Sequence, residues 1–355
     1  ETQNLLYQSN NFSSGFWTSA NSSVTSGQSG YDGSNDAWLL EATSSSSRIV
    51  QNNTTSGVQT FSCYAKAGTA NYLTFYNIVS GLSVRAWFNL SNGTIENSLY
   101  NIDAKIESVG NGWYHCSITY NETLSNVRIY VAREGGNFNT ISGDNIYIQD
   151  AQLEQGLVAR DYIETTTPVY GGITDNVPRL DYTDSSCPAL LLEPLRTNLV
   201  KQSEYFNVPP WSEYAFGGAS LTRTFGYESP EGNNNAYKFD VVVGTGGVLL
   251  TDNITINPAN AQTLSVYMKG ENGGEKVMLA LRNSGSSGAS GDIMTLTSEW
   301  ARYDVTLTTD AAARGFQFRM LSSNGVVDQT IYVYGAQLEE GSYATSYIPT
   351  YGSAV

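Results

Sequence analysis

Charge, histidine, cysteine and proline are all scarce in this chain. Only 14% of its 355 residues are Asp, Glu, Lys or Arg, and it holds one histidine, three cysteines and nine prolines. Low charge combined with 12% aromatic residues excludes a generally disordered chain. Lys and Arg number 18 against 33 Asp and Glu, a net charge of −15. That balance argues against a nucleic-acid partner, which needs clustered cations against its phosphates, and it makes an acidic polysaccharide or an anionic membrane a poor first guess. No apolar run is long enough to cross a bilayer. The sequence opens at Glu1 without Met or a signal-like apolar stretch, which reads as a mature or trimmed chain whose targeting segment is out of view.

Cys63, Cys116 and Cys187 lack metal-type spacing. They are expected as reduced, buried small hydrophobes, with a disulfide in the first half as the alternative. A nucleophile-histidine arrangement would have to be built on His115, which lies between Tyr114 and Cys116 and reads as a strand residue on the solvent face. Glycoside hydrolysis needs two acids across a cleft. Glu154 with Glu164, or Glu339 with Glu340, read instead as solvated or strand-terminating acids. A periodicity of 3.6 is not sustained beyond about eleven residues anywhere, so helix is marginal and no phosphate-cradling loop opens one. These readings together indicate a protein that is not an enzyme.

What the chain has is an internal repeat. Ile146-Tyr147-Ile148-Gln149-Asp150-Ala151-Gln152-Leu153-Glu154-Gln155-Gly156 returns as Ile331-Tyr332-Val333-Tyr334-Gly335-Ala336-Gln337-Leu338-Glu339-Glu340-Gly341, an offset of 185 (331 − 146). Tyr162-Ile163 and Tyr347-Ile348 keep that offset. Near the start of each half, Asn4-Leu5, Gln8-Ser9, Phe12 and Trp17 return as Asn198-Leu199, Gln202-Ser203, Phe206 and Trp211. Two homologous domains follow, each large enough to bury a core. Their expected bounds are 1–172 and 198–355.

Between the repeats, short β-branched and aromatic runs punctuated by Gly, Asn and Ser predict antiparallel sandwiches. The segment from Asn4 to Trp17 reads as an edge strand and a turn, and the Ser/Asn/Gly-rich stretch to Asn35 as a long loop. Ala86 to Leu90, Ser91-Asn92-Gly93, then Thr94-Ile95 reads as a hairpin, since Asn-Gly supplies the positive φ of a tight turn. In the second half the Gly/Ser stretch Ser284 to Gly291 takes the place of that hairpin region. Residues 173–197 alternate, turn at Asp184 to Pro188 and return, which suggests a short β-hairpin linker.

That linker carries a resemblance. Pro178-Arg179-Leu180-Asp181-Tyr182 and Leu190-Leu191-Leu192-Glu193-Pro194-Leu195-Arg196-Thr197-Asn198-Leu199 resemble a stitch of bacteriophage tail and head-fibre proteins, P-R-F-D-Y then G-L-L-I-E-x-x-R-T-N-L. Gly112-Trp113-Tyr114-His115-Cys116-Ser117, the Ala-Gln-Leu-Glu strands and the Tyr-Ile endings are similar to the phage head-spike fibre domain that follows it. Leu180, Ala189 and His115 depart from the pattern. The resemblance implies an all-β chain of two tandem antiparallel jelly-roll β-sandwiches, distantly similar to carbohydrate-binding modules. It implies a virion-surface, extracellular fibre or spike that adheres to host-surface or mucus glycans, contacts other virion proteins and assembles as a homo-oligomer, a trimer. Nucleic acid and membrane are not expected partners. The alternatives are a structural capsid decoration or spacer, or the accessory module of a secreted glycan-degrading enzyme. Modules of the carbohydrate-binding kind often hold a structural calcium beside the last strand, which implies Asp150 and Glu154 as ligands.

Glycan binding also follows from side-chain chemistry, because a sugar ring stacks on an aromatic plane while its hydroxyls take hydrogen bonds. Trp17 and Trp211, and Trp113 and Trp300, occur in both halves and are expected in the cores. Trp38 and Trp87 have no Trp counterpart and are the candidate ligand surface. Arg85 lies two residues before Trp87, so in a strand both side chains share a face. Exposure of Trp87 is the condition on which that site stands.

Overall fold

The computed structural model describes residues 3–79, 82–166, 180–181, 189–190, 193–256, 260–282, 289–308 and 314–354. The chain forms two compact units, residues 1–177 and 178–355. Among the described residues, the regular structure is all strand apart from one 3₁₀ turn at Ser322–Asn324.

In the first unit the strands are β1 (Thr18–Ala20), β2 (Ser22–Gln28), β3 (Ala37–Ala42), β4 (Arg48–Thr55), β5 (Val58–Ala67) and β6 (Tyr72–Val79). They continue as β7 (Leu82–Asn89), β8 (Thr94–Leu99), β9 (Asp103–Gly110), β10 (Trp113–Asn121), β11 (Leu124–Ala132) and β12 (Asn145–Gln155). One sheet has the order β1-β4-β11-β6-β7-β8 and the other β2-β3-β12-β5-β10-β9. Alternation along the strands sends Ile49, Phe75, Val84, Phe88 and Ile129 of one sheet to meet Leu40, Phe61, Ile118, Ile146 and Leu153 of the other, and all ten are buried in a single core.

A two-stranded antiparallel pair follows, β13 (Leu180–Asp181) with β14 (Ala189–Leu190). The linker residues 173–179, 182–188 and 191–192, Cys187 among them, lie outside the described residues. The second unit has β15 (Trp211–Phe216), β16 (Ser220–Tyr227), β17 (Ala236–Val242), β18 (Gly247–Thr255) and β19 (Gln262–Gly270). Then come β20 (Lys276–Arg282), β21 (Ala289–Thr295), β22 (Ala301–Leu307), β23 (Arg314–Leu321) and β24 (Gln329–Glu340). Its sheets run β15-β18-β23-β20-β21 and β16-β17-β24-β19-β22. The chain is thus two tandem antiparallel β-sandwiches, and β12 and β24, which carry Leu153 and Leu338, occupy the same place in their sheets.

The repeated motifs are the two sides of one latch. In the first unit the Asn4 side chain, wholly buried, donates to the carbonyls of Ala151 and Ile163 and accepts from the amides of Leu6 and Leu153. Asn198 makes the same four bonds to Ala336, Ile348, Val200 and Leu338. Thr165 donates its hydroxyl to the Leu6 carbonyl and takes the Ser9 hydroxyl with its amide; Thr350 repeats both with Val200 and Ser203. Gln152 and Gln337 each reach one strand-end glutamate, Glu154 and Glu339. What the repeat preserves is therefore the set of side chains that satisfies buried backbone groups where the first and last segments of each sandwich meet.

Three expectations are corrected. The segment from Asn4 to Trp17 is irregular rather than an edge strand, pinned by Leu6, Phe12 and Trp17 in the core. The polar stretch read as a long loop supplies β1 and β2. Both are edge strands with little to bury, so they lack the apolar alternation that marks a strand in sequence. Glu154 and Glu339, expected as solvated or strand-terminating acids, do stand at the ends of β12 and β24 but are wholly buried, the first beside Arg160 and the second bonded by Thr345. The 86–95 hairpin forms as β7 and β8 with Gly93 at φ 73. Of its second-half counterpart, residues 283–288 lie outside the described residues.

Candidate functional site

The outer face of the sheet β4-β11-β6-β7 is set by what the inner face buries. With Val84, Ala86 and Phe88 committed to the core, Arg85 and Trp87 must point the other way, as the spacing predicts. The same logic turns Tyr72, Thr74 and Tyr76 of β6, Arg128 and Tyr130 of β11, and Arg48 and Val50 of β4 outward. Tyr76 pairs with Arg85 across strands, Thr74 with Trp87, and Arg48 with Tyr130.

Trp87 shares this face but not the solvent. It is 3% exposed, with Phe138 5.3 Å from it ring to ring and its Nε1 donating to the Asn137 carbonyl at 3.1 Å. The 133–144 segment that brings Phe138 over the sheet is tied down by the amide of Ser46 on the Phe138 carbonyl and by Thr140 on the Ser44 carbonyl. Trp38 is also core: it packs edge-on to Phe12 and donates Nε1 to the Asn10 carbonyl. The exposed Arg85 and Trp87 pair therefore does not form, and Trp38 does not replace it.

Arg85 has a different ring. Its guanidinium carbon lies 5.7 Å over the centre of Tyr76, which is half-buried, and Arg48 lies 5.4 Å over Tyr130. Tyr76 and Tyr130 meet edge to face at 5.9 Å, and Phe138 contacts both. The sequence reading missed Tyr76, Tyr130, Arg128 and Phe138. Tyr76 could have been suspected from Tyr72-Leu73-Thr74-Phe75-Tyr76, a strand aromatic on both faces, but choosing it among 24 tyrosines requires the register.

Asp150 and Glu154 do not converge. Asp150 sits at positive φ (54°) where β12 slips register against β5, and its carboxylate accepts from the Tyr31 hydroxyl at 3.1 Å. Burial, with Asp36 and Asp32 adding repulsion, pushes it up to about 7. Glu154 is instead taken by Gln152 and Arg160. Among the described residues no group of three or more His, Cys, Asp or Glu side chains is placed to hold a metal ion. The two residues do not fit a calcium site. At the matching bulge of β24, Gly335 adopts φ 65° without a side chain, and the nearby acid is Glu204, which accepts from the hydroxyls of Tyr334, Tyr347 and Tyr351.

His115 stacks on Tyr64 at 4.5 Å, and Tyr64 on Tyr31 at 3.7 Å. Burial pushes its imidazole below the ordinary value, opposed by Glu107. It is a ring in an aromatic ladder, half-buried rather than solvated. Cys63 and Cys116, directly opposed on β5 and β10, are both free and buried. In the second unit a groove of about 580 Å³ lies among Asp240, Glu271, Glu275, Asp328 and Val327, with no aromatic ring in its wall.

No protein-family model and no curated protein matches the sequence. Among solved structures, a family 4 carbohydrate-binding module is similar over 37% of this chain and 86% of its own, at 14% identity and a TM-score of 0.29. A family 29 carbohydrate-binding module is similar over 41% of this chain and 86% of its own, at 15% identity and a TM-score of 0.30. A mutant of such a module complexed with cellulohexaose matches over 41% and 92%, at 17% identity and a TM-score of 0.30.

Proposed function

We propose that the first sandwich binds glycans without catalysis, on the outer face of β4-β11-β6-β7. The observation that carries this reading is the half-buried Tyr76 ring with the Arg85 guanidinium over one of its faces. An aromatic plane next to a fixed hydrogen-bonding fork is the pairing that a sugar ring needs. Asn52 and Asn126, paired across β4 and β11 at the same end of the face, add amide donors and acceptors. Placement on a virion surface among other virion proteins rests on the fibre-like motif between Pro178 and Leu199, and particle-associated protein in purified virions would test it.

The ligand reading is tested on a glycan array with Tyr76→Ala. Loss of the stacking plane is expected to weaken binding at least about tenfold, the scale of a hot-spot aromatic. The melting temperature should stay nearly constant, since the ring lies outside the core cluster. A wild-type protein silent across the array would leave the spacer reading standing instead.

A further inference from the structure

The net charge of −15 makes an acidic partner unpromising for the whole chain, yet one part of the candidate face carries arginine without carboxylate. Two neighbouring rows of side chains cross it. In the first, Val50 pairs with Arg128, and Tyr76 pairs with Arg85. The ladder pairs Asn126 to Ile78 and Ile129 to Phe75 bracket Arg128 and place it beside Tyr76. The row thus reads Arg128, Tyr76, Arg85 on three adjacent strands, each about 4.8 Å from the next. The second row is Asn52, Asn126, Ile78 and Ser83. Neither row contains Asp or Glu.

Among the described residues, no carboxylate pairs with Arg85 or Arg128. Among the described residues the Arg128 guanidinium bonds only through its Nε, to the Asn126 side chain at 2.7 Å. The Arg85 Nε is buried without a hydrogen-bond partner. Two cationic forks on either side of one tyrosine are more than neutral hydroxyls require. They match a ring that carries its own anion, because guanidinium takes carboxylate or sulfate in a two-bond fork.

Resting on the glycan reading of this face, we propose that its ligand is an acidic polysaccharide, with a sugar ring on Tyr76 and its carboxylate or sulfate groups held by Arg85 and Arg128. Affinity electrophoresis in polygalacturonate, dextran sulfate, dextran and a soluble cellulose derivative without charge tests this directly. The wild type is expected to be retarded by an acidic polymer, and the better of the two names the anion. Retardation should fade as salt rises to about 0.3 M, where screening is strong. Arg85→Gln and Arg128→Gln should each weaken it about tenfold or more, the worth of a hydrogen bond to a charged group. Lys105→Gln, an equal change of charge on the opposite sheet, should not. Equal retardation in neutral and acidic gels, or arginine variants no weaker than Lys105→Gln, would overturn the acidic ligand while leaving glycan binding intact. No retardation in any gel would remove both.

Discussion

Asn4→Ala is expected to cost the first sandwich about 4 kcal/mol, because one side chain there satisfies two buried amides and two carbonyls. Each of those bonds is worth about 1 kcal/mol net, and an orphaned buried partner costs at least that much. For a unit of this size the loss corresponds to a melting transition lower by about 10 °C. Asn198→Ala should do the same to the second sandwich, through its own four bonds. Calorimetry on the full chain checks both, and each variant should lower one transition and spare the other. Loss of less than about 1 kcal/mol in both would mean that the latch contributes little beyond its neighbours.

Asp252→Asn should act in the opposite direction. Asp252 lies on the inward side of β18 with Val248 and Leu250, wholly buried, and the backbone amide of Lys201 compensates its carboxylate only in part. Burial pushes its carboxyl from 3.8 up to about 7, with the nearby Lys201 offsetting part of that. The first sandwich handles the same spot differently. Thr18 faces Val50, so Trp17 falls beside Gln51, as Trp211 does beside Asp252. Gln51 accepts from the Tyr7 amide and donates to the Tyr7 carbonyl, both bonds that an amide can make.

The sign of the pH effect follows from linkage. Between about pH 4 and 7 the folded chain keeps the Asp252 proton while the unfolded chain releases it, so stability falls as pH rises through that window. The full penalty, up to about 4 kcal/mol, is present above pH 7. Asn removes it. The second unit's transition should therefore rise by about 5–10 °C at pH 8 and change little at pH 4. Asp150, also raised to about 7 by burial, gives the first unit a slope of the same sign. A variant whose gain is the same at both pH values would show that Asp252 is not the titrating group.

The sequence disclosed the architecture because the repeat is made of residues with structural work to do. Asn4, Gln152 and Thr165 recur as Asn198, Gln337 and Thr350 since each satisfies backbone atoms where the first and last segments of its sandwich meet. The candidate surface was less legible. Alternation correctly put Arg85 and Trp87 on one face, but facing outward is not the same as being exposed. A segment some fifty residues downstream lays Phe138 on Trp87, and nothing near Trp87 in the sequence announces it. Tyr76 stands out only through Arg85 and Arg128 on the strands to either side, a neighbourhood that exists only once register is fixed.

The latch also decides how each sandwich would bear a pull. Leu5 bonds to Leu153, Gln8 to Thr166 and Ser9 to Thr165, so the segments by which the chain enters and leaves the first unit are tied to each other. Leu199 to Leu338 and Ser203 to Thr350 repeat the arrangement in the second. Tension drawn along the backbone would therefore pass from one end of a unit to the other through these few bonds. Only the ends of β12 and β24 share that load path, so the other strands of each sandwich would be strained after the latch had torn.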